Sequence, residues 1–186
     1  LCEKIHHIEH RPANPGLPEE EYQTGFKGTS ESNLAEGQTD LVAAMDCWMY
    51  DSDRSNIDRV GHRRWCVNPT MGKTAFGDSG KFFAMYSFDR SATEVPDWDF
   101  GCFPCRGYMP LAYFRCASAD SRDGGYAWHV TPNPAKYAAM DKATVKVLVY
   151  PLEKGNKKAK EPLGLNYFNV ELSGFGAGPA IIFRPD

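Results

Sequence analysis

The chain lacks any run approaching the ~20 consecutive apolar residues that a membrane-spanning helix requires, so no transmembrane segment is expected. It also lacks an excess of positive charge: 21 Lys and Arg stand against 24 Asp and Glu, a formal net charge of -3. The first 50 residues are the most acidic part, with three basic side chains against nine carboxylates. That distribution offers no footprint for a phosphate backbone, and nucleic acid is excluded as a partner. There is no GxSxG nucleophile elbow, no HExxH zinc helix and no Asn-x-Ser/Thr sequon, since Asn68-Pro69-Thr70 carries the forbidden proline. Gly72-Lys73-Thr74 ends like a phosphate loop, but such a loop needs glycine five positions earlier and Val67 stands there. The opening residues LCEKIHHIEH have neither the basic start nor the apolar stretch of a targeting peptide, although a trimmed chain would lack them too.

What is present suits a folded domain. The 186 residues are 42% hydrophobic and 13% aromatic, and a chain of this length buries roughly 70% of the surface its unfolded form exposes. The six cysteines are therefore supports rather than necessities, and spacing does not choose among their pairings. Cys102-Phe103-Pro104-Cys105 admits two readings. One is structural disulfides among Cys102, Cys105 and Cys116, with Cys2, Cys47 and Cys66 paired elsewhere or reduced. The other is a Cys3His zinc site completed by Cys116 and His129. A thioredoxin-like site is excluded because no βαβ pattern surrounds the pair.

Along the chain, His10 to Gly37 is rich in Pro, Gly, Ser and Asn and reads as a long loop with one short helix near Glu19–Tyr22. Leu41, Met45 and Trp48 recur at helical spacing, with Thr39 or Asp40 as N-cap, which predicts a helix from Asp40 to about Tyr50. Lys73–Gly77 and Phe82–Phe88 read as a hairpin turning at Asp78-Ser79-Gly80. Ser91–Gly125 reads as irregular, with a short strand near Leu111–Phe114. Alternation predicts strands at Thr144–Leu152 and Asn166–Leu172, and Ala180–Phe183 forms a last one. Gly174, Gly176 and Gly178 are read as turn glycines, and Lys157, Lys158 and Lys160 as a solvated loop tip.

Five segments carry a family resemblance: SNLAEG (Ser32–Gly37), MDCWMYDSD (Met45–Asp53), VGHRRWCVNP (Val60–Pro69), GKTAFG (Gly72–Gly77) and AMYSFD (Ala84–Asp89). In order and spacing they resemble the bacterial-type branch of the CAP superfamily, which groups cysteine-rich secretory proteins, antigen-5 and pathogenesis-related proteins. The resemblance is close over about residues 10–89. It implies an α+β fold: a CAP-like α-β-α sandwich over 1–140, its N-terminal helix missing or short, followed by a small all-β extension over 141–186.

The resemblance further implies an extracellular, secreted protein with a cleft lined by two histidines and two acidic residues. His10 matches the first histidine, ahead of His6 and His7, and His62 in Gly61-His62-Arg63-Arg64-Trp65 matches the second. Asp51 matches one acidic position, and Ser32 stands where the family has the other. The implied cleft is thus His10, Ser32, Asp51 and His62, with His10 and His62 as ligands for a weakly bound divalent metal such as zinc. Three functions follow as expectations. The first is a non-enzymatic binding or structural module for a small molecule, lipid or peptide. The second is a metal-dependent hydrolase with Asp51 as third ligand or base. The third is a subunit of an extracellular assembly that self-associates through exposed strand edges.

Overall fold

The computed structural model describes residues 1–114 and 125–186. Helices α1 (Cys2–Ile5), α2 (Glu19–Ser30), α3 (Leu41–Tyr50) and α4 (Gly61–Cys66) come first in the chain. Strand β1 (Ser32–Glu36) pairs antiparallel with β3 (Phe82–Tyr86), whose other edge carries β2 (Phe76–Asp78). A second antiparallel sheet has the order β4 (Phe100–Phe103), β5 (Trp128–Pro132), β9 (Ala180–Pro185), β8 (Leu165–Glu171). Between them β6 (Leu152–Glu153) and β7 (Lys157–Lys158) form a minimal hairpin. Strands from either side of residue 140 therefore share the four-stranded sheet.

The α-β-α sandwich expected from the resemblance is corrected by this arrangement. The described residues form nine strands, all paired antiparallel, against four helices 4, 12, 10 and 6 residues long, and no α-helix follows Cys66 among them. Helices this short and this confined to one end of the chain cannot layer both faces of the sheets. Smaller departures have local causes. Helix α2 runs to Ser30 because Glu19–Ser30 contains no proline, Pro18 standing at its N-cap. SNLAE, read as loop, is a buried strand. Leu111–Phe114 is a 3-10 turn rather than a strand. Thr144–Pro151 alternates but pairs into no ladder, and only Leu152 and Glu153 of that stretch are paired.

Each sheet builds its own core by alternation. Ala35, Phe83 and Met85 pack against Ala44 and Trp48 of α3, while Leu34 and Phe82 on the other face cover Cys2. Trp48 is 1% exposed and its indole N–H donates to the Leu34 carbonyl at 3.0 Å, fixing α3 on β1. Asp40 caps α3 through the Ala43 amide at 2.8 Å. In the four-stranded sheet Ala127, Ala180 and Ile182 enclose Ile57 and Val60.

Arg63 joins the two halves. Its guanidinium is fully buried, with donors to the Met49 and Tyr50 carbonyls at the end of α3, to Ser52 Oγ, and to the Ala127 carbonyl before β5. It lies 4.9 Å from the Phe103 ring centroid and 5.7 Å from that of Tyr126. Burial pulls its pKa down to about 10, opposed by the charge of Asp51, so it stays a cation at neutral pH. Replacing it by methionine keeps most of the volume but takes a buried donor from the Met49, Tyr50 and Ala127 carbonyls and a compensating charge from Asp51. Arg63→Met is expected to lose about 3–5 kcal/mol of unfolding free energy in urea denaturation. A loss below about 1 kcal/mol would contradict this account.

Candidate functional site

Six residues are too few for a self-sustaining helix, and α4 is held by what surrounds it. Asp51 ends α3 in the left-handed region, with φ of 38°, and this turn aims its carboxylate at the start of α4. There Oδ1 accepts from His62 Nδ1 at 2.8 Å and Oδ2 from the Arg63 backbone N–H at 3.3 Å. A carboxylate at a helix N-terminus is favourably placed. Asn33 of β1 donates through Nδ2 to the His62 carbonyl at 2.9 Å, tying the helix to the first sheet. Val60, wholly buried, enters the helix at φ of 42°. A β-branched residue there costs of order 1–3 kcal/mol, so packing has to hold it.

The opposite wall is the segment after α1. His10 Nδ1 donates to the Thr29 carbonyl at 2.9 Å, and Tyr22 OH donates to the carbonyl of buried Pro12 at 2.9 Å. The third wall is the β8–β9 loop, drawn over α4 by Arg64. That guanidinium donates to Glu171 Oε2 at 2.6 Å and to the Gly178 carbonyl, and lies 5.6 Å from the Phe175 ring centroid. Two glycines permit the approach. A Cβ on Gly61 would sit 3.1 Å from the Phe175 ring, and one on Gly176, at φ of 60°, would run into the Arg64 carbonyl.

The three walls enclose a cleft of about 350 Å³. Its lining is cationic or basic at His10, Arg11, Arg59 and His62, neutral polar at Ser30, Ser32, Asn33 and Asn56, and aromatic at Trp65, Phe88 and Phe175. Trp65 and Phe88 are in tilted ring contact, with centroids 4.2 Å apart and planes at 37°. Of the residues expected from the sequence, His10, Ser32 and His62 meet here. Asp51 does not line the cleft: it is 1% exposed and sits behind His62. Arg11, Arg59, Phe88 and Phe175 were not anticipated. Trp65 stood within the run that marked His62, but nothing in the sequence indicated that it would face the same hollow.

Both imidazoles are oriented by acceptors. A carbonyl and a carboxylate cannot donate, so Nδ1 carries the proton in each ring and the neutral form keeps its lone pair on Nε2. That arrangement suits a metal ligand, but the rest of the set does not. Both Asp51 oxygens are engaged in the interior, Ser32 supplies only a hydroxyl, and no group of three His, Cys, Asp or Glu side chains suited to a metal occurs among the described residues. Two imidazoles fall short of the three protein ligands of a catalytic zinc. Burial disfavours the His62 imidazolium, but the hydrogen bond to Asp51 and the charges of Asp51 and Asp53 outweigh burial and the opposing Arg59. The net result is a raised pKa.

The zinc site considered at the cysteine pair is also unsupported. Cys102 pairs with Val130 and Phe103 with His129, so Cys102 and His129 project to opposite faces of the sheet. Cys116 lies outside the described residues. His129 is instead a core residue, 1% exposed, with Nδ1 unpartnered; burial first, then the charges of Arg63 and Arg64, push its pKa well below the usual value. Cys2, Cys66, Cys102 and Cys105 are thiols in this structure, and burial pushes that of Cys66 up to about 12.

Comparison with protein-family models, with curated proteins and with solved structures finds no match to this chain.

Two titrations separate the histidines. In NMR, the His62 ring is expected to titrate above 6.5, and Asp51→Asn to bring its midpoint down; an unchanged midpoint would contradict the Asp51 contact. His129 acts on stability with the opposite sign. Its depressed folded pKa means that the unfolded chain binds a proton below pH 6.5 that the folded chain refuses. Stability should therefore fall as pH drops below that point, by up to about 1.4 kcal/mol per pH unit. His62, raised when folded, adds stability below pH 6.5 that is lost as pH rises through its folded pKa. His129→Leu should flatten the acid limb of a plot of Tm against pH, and a limb of unchanged slope would refute the assignment.

Proposed function

We propose that the protein is a non-enzymatic binding module, and that the cleft between His10 and His62 receives a small organic molecule. The observation that carries this reading is the cleft's composition: hydrogen-bonding groups share one lining with the aromatic side chains of Trp65, Phe88 and Phe175. Small-molecule sites commonly combine apolar lining with a few fixed polar groups. The polar groups here are fixed before any ligand arrives, His62 by Asp51 and His10 by the Thr29 carbonyl. Side chains already ordered lose little entropy on binding, which favours affinity. The volume of about 350 Å³ suits one ring with a substituent rather than a long chain.

A fragment screen followed by amide and indole NMR tests this. Aromatic fragments are expected to shift the Trp65 indole and the amides of Gly61, His62 and Phe175 together. Trp65→Ala should weaken them roughly fivefold, as expected for loss of one stacking partner. Fragments that bind while leaving these signals unmoved, or no binding at all, would overturn the assignment.

A further inference from the structure

We infer that the cleft recognises an anionic group, a phosphate or a carboxylate, carried on a planar ring. The inference rests on the reading of the cleft as a ligand site and names the ligand's chemistry.

The first ground is which charges reach the cleft. Four basic side chains line it, His10, Arg11, Arg59 and His62, and no Asp or Glu is among the lining residues. This occurs in a chain of net charge -3 whose first 50 residues are its most acidic. The exclusion of carboxylates has a structural cause. Asp51 is turned inward, with one oxygen on His62 Nδ1 and the other on the Arg63 amide. Asp53 is occupied by Ser55 and Asn56, and Asp58 accepts from Tyr167. Glu171 faces Arg64 and Ser173.

The second ground is what the arginines are free to do. Arg63 and Arg64 turn their guanidinium groups inward, Arg63 onto interior acceptors and Arg64 through both Nη atoms, its buried Nε being without a partner. Arg59 uses one donor, from Nη2 to the Ser55 carbonyl at 3.1 Å, and is otherwise exposed. Neither Arg59 nor Arg11 forms an ion pair among the described residues. Guanidinium groups held at the rim of a concave site, with donors unspent, match the two oxygens of a carboxylate or phosphate. His62 adds a group whose cationic form Asp51 supports. Ser30, Ser32, Asn33 and Asn56 supply neutral hydrogen-bonding groups in the same lining.

The third ground is the aromatic wall. Trp65 and Phe88, in contact with centroids 4.2 Å apart and ring planes tilted by 37°, and Phe175 against Gly61 leave aromatic surface within the same cleft. A bare inorganic anion leaves that surface unused, whereas a ring covers it.

Calorimetry with four probes on the intact protein tests this: phenyl phosphate, benzoate, inorganic phosphate and benzyl alcohol. Phenyl phosphate or benzoate should bind about tenfold or more tightly than benzyl alcohol, and the advantage should shrink as salt rises. Whichever of the two binds better identifies the head group as phosphate or carboxylate. Arg11→Gln and Arg59→Gln, both at exposed positions, should each weaken the anionic probes by about tenfold and leave benzyl alcohol unchanged. Equal binding of benzyl alcohol and the anionic probes, with NMR shifts still at Trp65, would overturn the anion inference while keeping the cleft. Inorganic phosphate binding as tightly as phenyl phosphate would overturn the ring. Failure of all four probes to perturb Trp65 or His62 would overturn the reading of the cleft itself.

Discussion

A guanidinium with no water around it is costly unless every donor finds an acceptor, and Arg63 meets that condition only when both halves of the molecule are in place. Two of its acceptors, the Met49 and Tyr50 carbonyls, lie at the C-terminal end of α3, where the helix dipole favours a cation. Another belongs to Ala127 at the entry to β5, and the aromatic rings beside it belong to Phe103 and Tyr126. Neither sheet alone satisfies it. The charge thus acts as a condition on assembly: α3 and the four-stranded sheet have to meet at one spacing for Arg63 to be buried at all.

Successive residues on a helix point about 100° apart, and α4 uses three in a row for three tasks. His62 turns to the cleft, Arg63 to the junction of the sheets, and Arg64 to the β8–β9 loop that carries Phe175. A change in the seating of α4 therefore moves the core and the cleft together. The strain at Val60, adjacent to this helix, persists because that residue is locked between Ile57 and the strands of the second sheet.

Where one element supplied its own signal, the sequence was readable. The Asp40 cap and the apolar stripe of α3, the alternation of β8 and the apolar run of β9 needed no knowledge of neighbours. Where the outcome depended on a partner, reading failed. Val145, Val147 and Val149 alternate as a strand should, yet alternation states only which side chains share a face, and apart from the Leu163 N–H on the Val149 carbonyl no ladder forms along them. SNLAE looks like loop because its leading residues, Ser32 and Asn33, are polar, yet both are buried, and Asn33 is held by contacts 29 and 54 residues away in the chain. The sandwich failed for the same reason. Motifs confined to residues 10–89 say nothing about whether later segments add helices or, as here, strands.

The cleft shows the same division. His62 was legible from the unusual run around it and His10 only through the resemblance, whereas Arg11, Arg59 and Phe175 look like ordinary surface or turn residues until the walls close. Asp51 was the instructive error: its place near His62 was right, but its side faces the interior. A buried cation at Arg63 calls for a negative charge nearby, and the helix start and the His62 ring both call for an acceptor, so one carboxylate answers all three. Had Asp51 faced the cleft instead, Arg63 would have lost its nearest compensating charge and the cleft would have gained the acidic group a metal requires. The interior's demand for that carboxylate is thus what strips the cleft of negative charge. The same packing that holds the sheets together leaves a hollow lined by imidazole, guanidinium and indole.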